Sequence, residues 1–155
     1  MKRIFLCLAA LILLGLGLVV AQDGGRKLFA TLTGAAEVPG PGDTDGSGSG
    51  TITLNQGQGQ VCFELTVSNI APANVAHIHE GNVNAAGPPV VTLAPPPTNG
   101  ASNSCVTASA DLIKRIRQNP ENFYINVHNA DFPNGAVRGQ LTKTGKAASP
   151  NTNAK

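Results

Sequence analysis

The chain has no tryptophan, one tyrosine and five phenylalanines in 155 residues. At 4% aromatic content it offers few ring anchors for a strong protein-binding hot spot. Charge is also sparse, at 13% of residues. Apart from Lys2 and Arg3, the nine basic and nine acidic residues balance. No basic run or aromatic-rich strip stands among them, so nothing electrostatic points to nucleic acid or an anionic membrane surface. Glycine-rich stretches such as 46–50 lack the Lys-Ser/Thr pair and strand–helix setting of a phosphate loop. No nucleophile elbow appears, which removes the usual hydrolase signature. Beyond the first 20 residues there is no second long apolar run.

That first run has an address of its own. Lys2 and Arg3 precede an apolar stretch from Ile4 to Val20, and Val19 and Ala21 form a small-residue cleavage pattern before Gln22. Residues 1–21 therefore read as a secretory signal peptide, and the expected product is an exported protein, periplasmic or extracellular, with no membrane attachment after cleavage. Removal of Cys7 with the signal leaves Cys62 and Cys105. Two cysteines in an oxidising compartment are expected to pair. The competing reading makes one of them a thiolate metal ligand.

Residues 22–27 form a polar leader, 28–142 a single domain and 143–155 a flexible tail. Within the domain the dominant period is two. Val61, Phe63, Leu65 and Val67 alternate with polar positions and Cys62, as do Ile52 and Leu54, and Phe123, Ile125 and Val127. This is the pattern of antiparallel strands with one face on a core. Gly, Asn, Gln and Pro clusters punctuate it, so 51–67 and 123–141 each read as a hairpin. One segment departs from it: Ser109 is placed to cap a helix through Leu112, Ile113 and Ile116 that stops before Pro120. The expected fold is all-β, an antiparallel β-sandwich or flattened Greek-key barrel, with this short helix over an open end or edge.

The chain has three histidines. His77 and His79 flank Ile78 and share one face of a strand, where two imidazoles at i and i+2 can grip one ion. His128 lies on another strand, on the side opposite Ile125 and Val127. The three are thus expected on the outer face, converging if the strands are neighbours. A three-imidazole set suits copper or zinc, or nickel, and not calcium or magnesium. Three ligands without an evident fourth leave an open position. In an exported protein, copper's place in the Irving–Williams order favours it, as one mononuclear ion. Arg138 shares the outward face with His128, and its permanent charge can orient an anion. Glu80 and Glu64 are candidates to orient an imidazole, although the solvated carboxylate is the favoured reading of both.

The segments Phe29–Pro39 (FATLTGAAEVP), Ala76–Gly81 (AHIHEG) and Phe123–Leu141 (FYINVHNADFPNGAVRGQL) resemble, in order, the CHRD (chordin-type) domain of exported bacterial proteins. A looser likeness is to copper/zinc superoxide dismutase. There His77-Ile-His79 would match the strand supplying copper ligands, His128 the later copper histidine, and Arg138 the arginine that guides superoxide. No histidine remains for a bridging ligand or a zinc site, so the likeness implies a copper-only version. Three functions follow: a mononuclear copper protein whose activity extends to superoxide dismutation, a copper delivery or storage protein without catalysis, or a non-enzymatic extracellular protein-binding module.

Overall fold

The structure, a computed structural model, describes residues 25–95 and 100–145. The signal segment, residues 22–24 of the expected leader and residues 146–155 of the expected tail lie outside them. Among the described residues, no helix is long and apolar enough to cross a membrane.

Among the described residues the fold is all-β with one α-helix. Eight strands form one antiparallel sheet: β1 (Arg26–Thr33), β2 (Ser47–Asn55), β3 (Gln60–Ser68), β4 (Ala73–Glu80), β5 (Pro89–Leu93), β6 (Ala101–Thr107), β7 (Phe123–Asn129) and β8 (Val137–Gln140). Their order is β5-β4-β7-β8-β1-β2-β3-β6. The sheet curls until its two edge strands approach, where Ser102 Oγ donates to Ala94 O at 3.0 Å. The result is a nearly closed barrel. β1 starts at Arg26, paired with Leu54, two residues before the apolar alternation begins at Leu28.

The period of two sets the interior. Leu28 and Leu32, Ile52, Val61 and Leu65, Ile78, and Ile125 and Val127 are each essentially inaccessible to solvent and form one continuous core. The two hairpins read from the sequence are both present, as β2–β3 and β7–β8. Helix α1 (Ala110–Gln118) begins where expected, with Ser109 Oγ accepting from Leu112 N–H at 3.2 Å. Its Ile113 and Ile116 are buried, and it lies against β2 and the turn at 56–58, closing one end of the barrel.

Cys62 and Cys105 are register partners on β3 and β6 and form a disulfide. It faces outward and ties the edge strand β6 to its neighbour β3.

The outer surface has two characters. Over β2, β3 and β6 it is wet and lined by Thr, Ser and Glu64. Over β4, β7 and β8 it is covered: all seven residues of β7 and all four of β8 are buried. Three connections fold over this side: 34–46, 81–88 and 130–136. Asp43 N–H donates to Ala136 O at 2.9 Å and joins the first to the third. Strand parity correctly separates Asn126 and His128 from Ile125 and Val127. The expectation that the histidine side lies open to solvent is overturned, because these loops replace the water.

Candidate metal centre

β4 and β7 are adjacent and antiparallel, with His77 opposite Asn126, His79 opposite Tyr124 and Val75 opposite His128. His77, His79 and His128 therefore share one side of two neighbouring strands. One ring nitrogen from each lies within 4.8 Å of the others. The ring centroids are 5.4 to 5.8 Å apart. A single ion about 2.0–2.1 Å from each nitrogen requires nitrogen pairs no more than about 4.2 Å apart. Small side-chain rotations close that difference. Among the described residues, this is the one group of three His, Cys, Asp or Glu side chains close enough to share an ion.

The hydrogen bonds select which nitrogen faces the gap. His79 Nδ1–H donates to Gly87 O at 2.8 Å, and His128 Nδ1–H donates to Pro133 O at 3.1 Å. Each carbonyl fixes the tautomer with a lone pair on Nε2. His79 Nε2, His128 Nε2 and His77 Nδ1 are all buried without a partner. Two inward lone pairs and the His77 Nδ1, all without a partner, would be costly without an occupant, and a cation is the natural one. Burial lowers all three imidazole pKa values, most simply at His77 where it is the only cause. At His79 and His128 the backbone carbonyl partly opposes it. Neutral imidazole is the form that binds metal. His79 and His128 are 8% exposed, while His77 is less covered, which leaves the approach to the ion on its side.

The other candidates have different places. Arg138 is 1% exposed and sits inside the loop cover, not at the surface. Its Nη2 donates to Asn82 O at 2.7 Å and Ala85 O at 3.0 Å, holding the 81–88 loop. Its guanidinium lies 3.5 Å from the Tyr124 ring centroid, and that ring stacks on His79 with centroids 4.9 Å apart. Arg138 is thus connected to the histidines through Tyr124. Glu80 points away and pairs with Arg115 on α1. Glu64 lies across the barrel beside the disulfide, in a shallow groove with Asn103 and Ser104. Neither carboxylate orients an imidazole; the carbonyls of Gly87 and Pro133 do so.

Glycine makes the first of these carbonyls available. A Cβ on Gly87 would fall on the Glu80 carbonyl oxygen, so only glycine lets the loop approach β4 closely enough to meet His79.

Glu37 was not singled out from the sequence. The 34–46 connection, with cis bonds at Val38–Pro39 and Gly40–Pro41, brings it onto the histidine side, where it is 7% exposed. Its Oε2 accepts from Asn126 Nδ2 at 3.3 Å. Burial pushes its carboxyl up to about 7, against the opposing pull of Arg138. The available sequence signal was a single acid in the otherwise uncharged run 34–42.

No curated protein and no solved structure matches the chain. The likeness to superoxide dismutase therefore rests on the histidine spacing and Arg138 alone. The family question has a direct answer, since the three motif blocks supply β1, β4 and the β7–β8 hairpin on which this centre is built. The family model for the CHRD domain matches residues 28–141, and the chain belongs to that family.

Proposed function

We propose that this domain is an exported copper protein that binds one ion through His77 Nδ1, His79 Nε2 and His128 Nε2 and dismutates superoxide. The observation that carries the reading is the set of three buried, unpartnered imidazole nitrogens turned toward one another. Nitrogen-only ligation with an open position favours copper over harder ions, and favours it over zinc by affinity order. The Cys62–Cys105 disulfide supports export, since such bonds persist in oxidising compartments.

Copper would supply a one-electron couple at a position open to a small oxyanion. The chain's own residues do the rest. Gly87 O and Pro133 O hold two imidazoles in the tautomer that presents Nε2. Tyr124 fixes the plane of the His79 ring. Arg138 anchors the covering loop and contributes positive charge to the site, with Nη1 left unpartnered. The burial of two ligands under latched loops fits retention of the ion better than delivery to an acceptor.

The test is metal analysis and Cu(II) EPR on the wild type and the His77→Ala, His79→Ala and His128→Ala variants. One tight copper with nitrogen hyperfine structure, lost in each variant, is the expected result. Superoxide turnover above that of chelated free copper then tests the enzymatic part. Copper binding indifferent to all three changes overturns the site. Bound copper without turnover leaves a copper-holding protein.

A further inference from the structure

On the covered face of the sheet, β4, β7 and β8 place three polar side chains in one row. Asn126 stands in register between His77 on β4 and Arg138 on β8. Same-side neighbours across antiparallel strands lie about 5 Å apart at Cβ. The row from His77 to Arg138 thus spans about 10 Å, with Asn126 at its centre. Glu37 reaches down on Asn126 from the 34–46 connection.

These groups are buried yet incompletely satisfied. Glu37, Asn126 and Arg138 are 7%, 3% and 1% exposed. Glu37 Oε1, Asn126 Oδ1 and Arg138 Nη1 have no partner. Arg138 and Glu37 attract one another but form no ion pair; among the described residues that contact belongs to Arg115 and Glu80. Arg138 Nη1 offers a donor, Asn126 Oδ1 an acceptor, and Glu37 Oε1 an acceptor when ionised or an O–H when protonated, a set that a buried water can serve. The placement also answers a chemical need. All three histidines of the chain are committed as ligands in the reading above, so no imidazole is left to carry a proton.

We propose that Glu37 is the proton-holding positioning residue of the histidine centre, acting through a water lodged between Glu37, Asn126 and Arg138. The proposal rests on the copper reading. Conversion of superoxide to hydrogen peroxide takes one electron from the reduced ion and two protons. Glu37 supplies one proton and is left as a carboxylate, and solvent supplies the other. In the other half-reaction a second superoxide gives its electron to the oxidised ion and leaves as dioxygen. Loss of one positive charge from the face then draws a proton from solvent onto Glu37. The groups facing Glu37 are Arg138 from β8, Asn126 from β7, and, farther along the same face, the histidines of β4 and β7. Asp43, on its own connection, interacts with Asp45 and Asp131 instead. The carboxyl's position near 7 in the metal-free protein suits exchange around neutral pH.

The experiment measures protons taken up when the copper-loaded protein is reduced anaerobically by hexaammineruthenium(II), which carries no proton. A pH indicator in weak buffer reads the uptake across a series of pH values. Wild type, Glu37→Gln and Glu37→Asp are compared, with Cu(II) EPR on each. Wild type should take up close to one proton per copper, with a maximum near neutrality. Glu37→Gln should lose that uptake with copper and its spectrum retained, and Glu37→Asp should keep it with a shifted maximum. Unchanged uptake in Glu37→Gln with copper bound overturns the role of Glu37 alone. If Glu37→Gln does not hold copper, an unshifted profile in Glu37→Asp overturns it instead. Failure of the wild type to hold copper overturns the copper reading, and the role of Glu37 with it.

Discussion

Replacing Glu37 by glutamine in the metal-free protein should remove a pH dependence that the fold imposes. The Glu37 carboxyl moves from its ordinary 4.5 to about 7 because burial disfavours its charge more than Arg138 and Asn126 restore it. Between those values the folded state binds more protons than the unfolded chain. Stability from this group is therefore complete below pH 4.5 and is lost as pH rises through 7. At about 1.4 kcal/mol for each pH unit, the loss is about 3 kcal/mol. Glutamine keeps the shape and cannot ionise. The stability difference, Glu37→Gln minus wild type, should therefore grow by about 2–3 kcal/mol between pH 4.5 and 7. The histidines contribute with the opposite sign over an overlapping range, and subtracting one protein from the other cancels them. Urea unfolding of both proteins in chelator, at half-unit pH steps, gives the two curves. Curves that stay parallel within about 0.5 kcal/mol refute the reasoning, since that is near the limit of the extrapolation.

Changing Cys62 and Cys105 together to serine removes a link across 43 residues, and chain entropy alone sets the cost at about 4 kcal/mol, measurable by urea unfolding under oxidising conditions. Copper affinity should fall as pH drops below the ordinary imidazole value of 6.5, because acid must charge nitrogens that burial and metal both keep neutral; competition titration against a chelator reads it. The same depressed pKa values make the metal-free fold lose stability as pH falls from 6.5 through the folded-state values. Gly87→Ala pushes the 81–88 loop off the Glu80 carbonyl and withdraws the acceptor from His79 Nδ1, so copper affinity should drop about 10–100-fold with the fold intact by circular dichroism.

Strand and helix positions were legible because they depend on local patterns. The period of two in 61–67 and 123–127, and Ser109 ahead of Leu112, each follow from neighbours a few residues away. The side of the strand was legible too: His128 is opposite Val127 by parity alone. The adjacency of β4 and β7, on which convergence depends, was not. It arises from pairing across roughly fifty residues, and no local signal encodes it. Burial of the outer face escaped for a related reason. Irregular connections have no period, so nothing in 34–46, 81–88 or 130–136 announced that they would fold over Arg138 and His79. Glu37 was invisible for the same cause, standing in a loop as an ordinary acid. The carbonyls of Gly87 and Pro133, which orient the imidazoles in place of Glu80, belong to the backbone; the close approach requires glycine at 87, but a glycine in a loop does not tell which carbonyl it delivers or to what.

β7 lies in the interior of the sheet with β4 on one side and β8 on the other, and every residue in it is buried. Its amide hydrogens should exchange with solvent only when the whole domain unfolds, whereas those of the 81–88 and 130–136 connections exchange through local opening. The ligand His128 is thus mounted on one of the most slowly exchanging parts of the molecule, and the carbonyls that orient the imidazoles on the faster ones. Opening a loop releases an imidazole's orientation without moving the backbone that carries it. The residence time of an ion would then be governed by how firmly the loops stay latched, and not by the unfolding of the strands that carry its ligands.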